Sequence, residues 1–336
     1  MNTVRAEVNH AYFKEPWFRP FSASIENCAV TIDRTETPGN VILTISGRKG
    51  CDKLRSLFFE IYDLLFIYLG HFPSNISLEK NGESEEHKDW LNKYETSTLF
   101  GRLLPVCDIS EDTVNERALN NLRKLRRNPI FSLEYIVSKG YDGINITHRL
   151  LLLLHAMDGL VTQTQRASVE QDLKRITGTP QNKNDKKYKK VVFFICQEGF
   201  FNYHRKYNCE ILSILRLTKK TFLEKATDTR NVYSHFYIPV SPEAPIEAGS
   251  EMAFFFELLF FTTRIYLCKQ LGLSPKEQNV KESFYRIHDW IAGNQKCKNI
   301  KYKSWAYAQW VDAFIPADAD VPEDTVCYSE DELDAK

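Results

Sequence analysis

An excess of charge is the first thing this chain lacks: its 44 lysines and arginines are matched by 44 aspartates and glutamates. Long-range attraction to nucleic acid or to an acidic surface is therefore not built into the whole molecule, and any basic surface has to be local. Metal-ligating cysteine spacing is also missing. The eight cysteines (Cys28, Cys51, Cys107, Cys196, Cys209, Cys268, Cys297, Cys327) are scattered without a C-x-x-C pair, which supports neither a zinc site nor a thioredoxin-like motif. The first ten residues, MNTVRAEVNH, have no apolar centre of the kind a signal peptide needs. The most apolar runs, Leu150–Leu154 and Met252–Phe261, are too short and too flanked by charge to cross a bilayer. No internal repeat is present. These absences point to a reducing, cytoplasmic setting without membrane association.

Hydrophobic residues make up 43% of the 336, enough to build the cores of two domains or one large one. The expected fold class is α+β overall: an N-terminal mixed α+β domain over 1–145, an all-α bundle over 146–316, and an acidic, disordered tail over 317–336. In the first part, alternation predicts strands over Phe21–Ile32 and Val41–Ile45, joined by a turn at Thr37-Pro38-Gly39-Asn40. Asp52 reads as the N-cap of a helix to about Tyr68, with Gly70 as its stop. A short strand is expected over Ile76–Leu78, an exposed charged stretch over Gly82–Lys88 and a strand over Thr96–Val106. Ser110-Glu111-Asp112 should open a helix ending near Asn128-Pro129, where Arg123-Lys124-Leu125-Arg126-Arg127 would suit the negative end of the helix dipole. The N-terminus itself reads as mobile.

From Gly143 onward the apolar spacing becomes helical. The pattern predicts a helix from Thr147 to about Val169, then a polar lysine-rich connector over 174–190. A second helix spans Val191 to about Tyr207 and a third Cys209 to about His235. A fourth, capped by Ser250, covers Met252 to about Leu271, with one or two more over Lys276–Ile315. Trp290, Trp305 and Trp310 are candidate packing anchors. Lys183, Lys186, Lys187, Lys189 and Lys190 crowd the connector; they read as a solvated loop or as an RNA-holding arm.

One polar island stands out in the helical half: Asp228-Thr229-Arg230-Asn231-Val232-Tyr233-Ser234-His235-Phe236. An arginine supplies a permanent planar charge for a phosphate, and a histidine can give and take a proton near neutral pH. Arg230 and Ser234, and Asn231 and His235, stack at i,i+4 spacing. Arg230 and His235 lie about 140° apart around an ideal helix. One such edge does not enclose a phosphate, but two brought together across a two-fold axis would form a cleft with two arginines and two histidines. Arg5 with His10 and Arg149 with His155 have similar spacing. The first pair falls in the N-terminus and the second flanks the leucine run, where His155 reads as a core or interface residue. Capping of the helix end by Arg230 and His235 is the competing structural reading.

The segment Arg230-Asn231-x-x-Ser234-His235, after one long apolar helix and before another, resembles the arginine–histidine motif of the HEPN superfamily, in its ApeA-like branch, over about residues 145–275. Asp158 stands where such proteins often carry an acid in the first helix. The resemblance implies a metal-independent endoribonuclease acting as a homodimer, an antiphage-defence or toxin effector. Its catalytic residues would be Arg230, Asn231, Ser234 and His235, and a trigger or regulatory protein would control it. The alternative is a HEPN-like module that holds RNA, a nucleotide or a protein without cleaving. A fused nucleotidyltransferase is not expected, because the first half lacks a glycine-serine segment followed by spaced aspartates.

Overall fold

The computed structural model describes residues 1–70, 73–84, 103–125, 146–177, 183–201, 211–212, 215, 217–235 and 250–299. The chain is α+β. It divides into two compact units, one comprising Met1–Thr96, Phe100–Arg127 and Leu267–Val280, the other Ser97–Leu99, Asn128–Tyr266 and Lys281–Lys336.

The first unit is built on a six-stranded antiparallel sheet. Its strands are β1 (Asn2–Asn9), β2 (Phe21–Ile25), β3 (Cys28–Arg34), β4 (Asn40–Gly47), β5 (Ser74–Lys80) and β6 (Glu83–Ser84), in the order β2-β3-β4-β1-β5-β6. The expected mobile N-terminus is therefore a central strand. Val4, Ala6 and Val8 are buried at every second position, the signature of a strand with one face in a core. Arg5 points the other way, 4.0 Å from Glu79. His10 is buried, and its Nδ1 accepts the Tyr12 N–H at 3.0 Å to cap a short 3-10 turn. The expected strand Phe21–Ile32 is a hairpin instead. Glu26 and Asn27 both have positive φ, 52° and 60°, as a two-residue type I′ turn requires.

Helix α1 (Cys51–Leu69) lies against β1 and β4 and buries most of its length, including Leu54, Phe58, Ile61, Leu65 and Tyr68. Each such side chain contributes about 1.5–3 kcal/mol of apolar burial. Gly70 ends the helix at φ 89°, as expected. Its N-cap is Gly50; Asp52 sits in the first turn and accepts from the Lys80 ammonium at 3.0 Å. Gly82–Ser84 is exposed, as read; residues 85–102, which held the rest of that stretch and most of the Thr96–Val106 strand, lie outside the described residues. Leu103–Val106 is not a strand. The helix expected from Ser110 begins later, as α2 (Glu116–Leu125), because Ser110 and Thr113 close a turn and Asn115 Oδ1 caps the Ala118 N–H at 2.9 Å.

Arg123 of α2 is a structural clamp. Its Nε–H donates to both Glu60 oxygens at 3.0 and 3.1 Å, Nη2 reaches Glu60 Oε2 at 2.6 Å, and Nη1 bonds Glu26. Glu26 in turn takes Lys49 at 2.5 Å, and the Lys49 and Arg123 contacts hold its carboxyl below the ordinary 4.5. The segment Leu267–Val280, expected to belong wholly to the helical half, is part of this unit: Lys276 holds both Asp108 oxygens at 2.8 Å and Asn279 donates to Pro105 O at 3.0 Å.

The second unit is helical where described. It contains α3 (Ile146–Leu160), α4 (Gln163–Ser168), α5 (Glu170–Thr177), α6 (Lys183–Cys196), α7 (Lys219–His235), most of α8 (Ser250–Gln270) and most of α9 (Glu277–Asn299). The single helix expected from Thr147 is broken at Val161, since Thr162 and Gln165 form a reciprocal capping box that starts α4. The lysine-rich stretch is no loop from Lys183 onward but the first two turns of α6. A π-helical turn, Gln197–Phe201, follows α6. Within it Gly199 lets the backbone approach Thr262, whose carbonyl a Cβ would strike. The third helix starts at Lys219, where Thr218 Oγ1 accepts the Thr221 N–H at 3.1 Å, rather than at Cys209, which lies outside the described residues. Ser250 begins α8 and Gly272, at φ 79°, follows its end, as read. Aromatic pairs tie the unit together: Phe222 stacks on Phe255 at 4.9 Å, and Phe254 meets Trp290 edge-on at 4.8 Å. Trp305, Trp310 and the acidic tail lie outside the described residues.

Candidate active site

Helix α7 carries the polar island. Its apolar face, with Phe222, Leu223 and Ala226, is buried, while Thr227 and Thr229 are buried hydroxyls satisfied by the carbonyls of Leu223 at 2.8 Å and Lys225 at 2.7 Å. These back-bonds let a helix with two interior threonines stay helical in an apolar setting. α6 and α3 pack against α7 and hold it in place.

Arg230 and Asn231 are half-buried, and the Arg230 Nη1–H donates to Asn231 Oδ1 at 3.2 Å. That bond joins two of the candidate residues. Ser234 and His235 continue the helix to its last residue. Their Cα atoms are about 6 and 7.5 Å beyond that of Arg230 along the axis. All four residues therefore share the last turn and a half of one helix, with Ser234 on the Arg230 stripe and His235 on the Asn231 stripe.

The other candidates are placed apart from this edge. Asp158 accepts from Arg166 Nη2 at 3.1 Å, and its backbone carbonyl takes the same nitrogen at 2.7 Å, so it braces the break between α3 and α4. Arg149 is buried with its guanidinium 4.7 Å from the Phe256 ring centre. His155, read as core or interface, is exposed. Of the lysines, Lys190 pairs with Glu170 at 2.9 Å and Lys189 with Glu224 at 3.6 Å, each side chain only 13% exposed. These two are salt-bridged to neighbouring helices rather than held out as a phosphate-binding arm. Lys183, Lys186 and Lys187 belong to the first two turns of α6; their side chains lie outside those described.

Helix α8 contributes what the pattern of its sequence hid. Expected as the fourth helix, from Met252 to about Leu271, it carries Glu257 and Arg264, both without exposed surface. Arg264 lies over the Phe261 ring at 5.5 Å. The two charges are seven residues apart and so on one stripe of the helix. A buried charge is costly unless it is paired and hydrogen-bonded. Tyr266, nearby on α8, donates to Leu160 O at 3.1 Å, and burial pushes its hydroxyl up to about 12. Among the described residues no group of three or more His, Cys, Asp or Glu side chains could hold a metal ion, and no helix is long and apolar enough to cross a membrane. No family model, curated protein or solved structure matches this chain.

Proposed function

We propose that the protein is a metal-independent endoribonuclease of the HEPN type whose active edge is Arg230, Asn231, Ser234 and His235. The observation that carries this reading is the Arg230–Asn231 hydrogen bond on the last turns of α7, next to the backbone positions of Ser234 and His235. RNA carries its own nucleophile, the 2′-hydroxyl beside the scissile phosphate. His235 takes the proton from that hydroxyl, or gives one to the departing 5′-oxygen. Arg230 holds the phosphate and offsets the charge that grows on its oxygens in the transition state. Asn231 fixes the guanidinium, and Ser234 orients the phosphate or the imidazole. Because Arg230 and His235 occupy different stripes of one helix, a homodimer that faces two edges across a groove supplies the acid and the base from two copies. The biological setting that fits is a cytoplasmic antiphage-defence or toxin effector under the control of a trigger.

The test is the chemistry of the product ends. Transesterification through the 2′-hydroxyl leaves a 2′,3′-cyclic phosphate or 3′-phosphate and a 5′-hydroxyl. A substrate with a single 2′-deoxy position at the cleavage site should resist. Products with 5′-phosphate ends would overturn the reading. Holding RNA, a nucleotide or a protein without cleavage is the second reading; the balanced net charge favours it.

A further inference from the structure

We propose that strand β2 is a docking edge for the β2 strand of a second copy of this chain, so that two sheets join antiparallel across a two-fold axis. β2 is the outer strand of the sheet, and among the described residues nothing pairs with its free side. In the two-residue hairpin, Ile25 faces Cys28 as a hydrogen-bonded pair, so Phe21, Ala23 and Ile25 spend their main-chain groups on β3. The N–H and C=O groups of Ser22 and Ser24 therefore point outward.

This edge has few of the features that block strand addition. β2 contains no proline, no lysine and no other charge, and its register with β3 runs without a bulge. The sheet's opposite edge is different: β6 is two residues long and includes the exposed Glu83. Trp17, just before β2, is 50% exposed, one of three large hydrophobic side chains so placed among the described residues. Pro20 closes the ladder at one end, which limits the added strand to the length of β2.

The occupant follows from the register. Outward groups at 22 and 24 can only meet outward groups. Two antiparallel copies then place Ser22 opposite Ser24 of the second copy, twice, with Ala23 opposite Ala23 on the axis. That arrangement makes four main-chain hydrogen bonds. It aligns Phe21 with Ile25 of the second copy on the core-facing side, and serine with serine on the exposed side. The small Ala23 sits where the backbones come closest, in a non-hydrogen-bonded pair. With no charge on the strand, two identical edges do not repel. This contact is separate from the one proposed for the Arg230–His235 edge, and two different two-fold contacts on one chain give a tetramer or a filament. Mass alone is therefore not the readout.

The experiment is site-directed cross-linking of the full chain. Ala23→Cys should form a disulfide-linked dimer on mild oxidation, joined at position 23, because the two Cβ atoms fall within disulfide range. Ser22→Cys should link far less, since its opposite number is Ser24. Adding Ser24→Pro to the Ala23→Cys chain should cut the linked fraction at least about tenfold. That proline removes an outward N–H and leaves the hairpin's own bonds intact. As a check independent of cysteine, Ser22→Lys/Ser24→Lys should not self-pair through β2. Mixing it with Ser22→Glu/Ser24→Glu should restore pairing, read by energy transfer between labelled copies. The proposal is overturned if Ala23→Cys links no more than the parent chain, if Ser22→Cys links equally well, if Ser24→Pro has no effect, or if the mixed charges fail to pair. Each of these would leave the edge to a foreign strand or to none, and none of them bears on RNA cleavage.

Discussion

Removing the Arg123 side chain should destabilise the first unit by much more than a surface arginine would. The guanidinium makes three hydrogen bonds to Glu60, whose side chain is only 10% exposed, and one to Glu26. Stripping one partner from a buried ion pair costs about 3–5 kcal/mol, because the remaining charge stays in a poorly solvated place. Arg123 is itself 36% exposed, so water reaches part of the pair and the figure is reduced to about 2–4 kcal/mol. Urea unfolding of Arg123→Ala should shift the midpoint with an unchanged slope, and the thermal midpoint should fall by roughly 2–4 °C per kcal/mol. The same loss is expected of Glu60→Ala. The double variant Glu60→Ala/Arg123→Ala should be little worse than either single one, a coupling of about 2 kcal/mol. Additive losses, or a loss below about 0.5 kcal/mol for Arg123→Ala, would refute the clamp and leave Arg123 as a cation that complements the helix dipole.

Two further outcomes follow from the same physics. The Glu26 carboxyl is depressed by its bonds to Lys49 and Arg123, so its contribution is fully present above the unfolded carboxylate value and is lost as pH falls from about 4.5 through the folded value. Glu26→Gln should therefore flatten the acid limb of the stability–pH curve below about pH 5 and leave its shape at neutral pH unchanged; an unaltered acid limb would contradict the assignment. Replacing Lys189 and Lys190 with glutamine should lower stability, by about 1–3 kcal/mol for the pair, through the freed Glu224 and Glu170. RNA affinity and its salt slope should hardly move; a slope reduced by about two would show that both lysines contact phosphates.

The alternation in the first half was readable, but its phase held more than the elements did. Phe21, Ala23 and Ile25 are inward at odd positions, Cys28, Val30 and Ile32 at even ones. That slip of one residue marks the two-residue turn, and a glutamate at positive φ is a poor advertisement for it. The central strand β1 was hidden because Ala6 and the charged Arg5 and Glu7 make it look polar, although Val4, Ala6 and Val8 are all buried. The Thr162–Gln165 capping box was visible in the sequence, yet the leucine run before it suggests one long helix. Lys183–Lys190 reads as a loop because its apolar face starts only at Val191. Glu257 and Arg264 were masked by the opposite effect, since a run of phenylalanine and leucine makes two charges look like its solvent edge. The polar island on α7 was legible as composition and spacing. Its Arg230–Asn231 bond and the pairing of Lys189 and Lys190 depend on neighbours that no local pattern encodes.

Cleavage of total cellular RNA in excess EDTA, by the wild-type chain and by His235→Ala purified alongside it, tests the proposed chemistry most directly. Cleavage by the wild type alone, with a loss of at least about a hundredfold in the variant, is the predicted result. Equal cleavage by both proteins, or activity abolished by EDTA, would contradict a metal-free reaction that depends on His235.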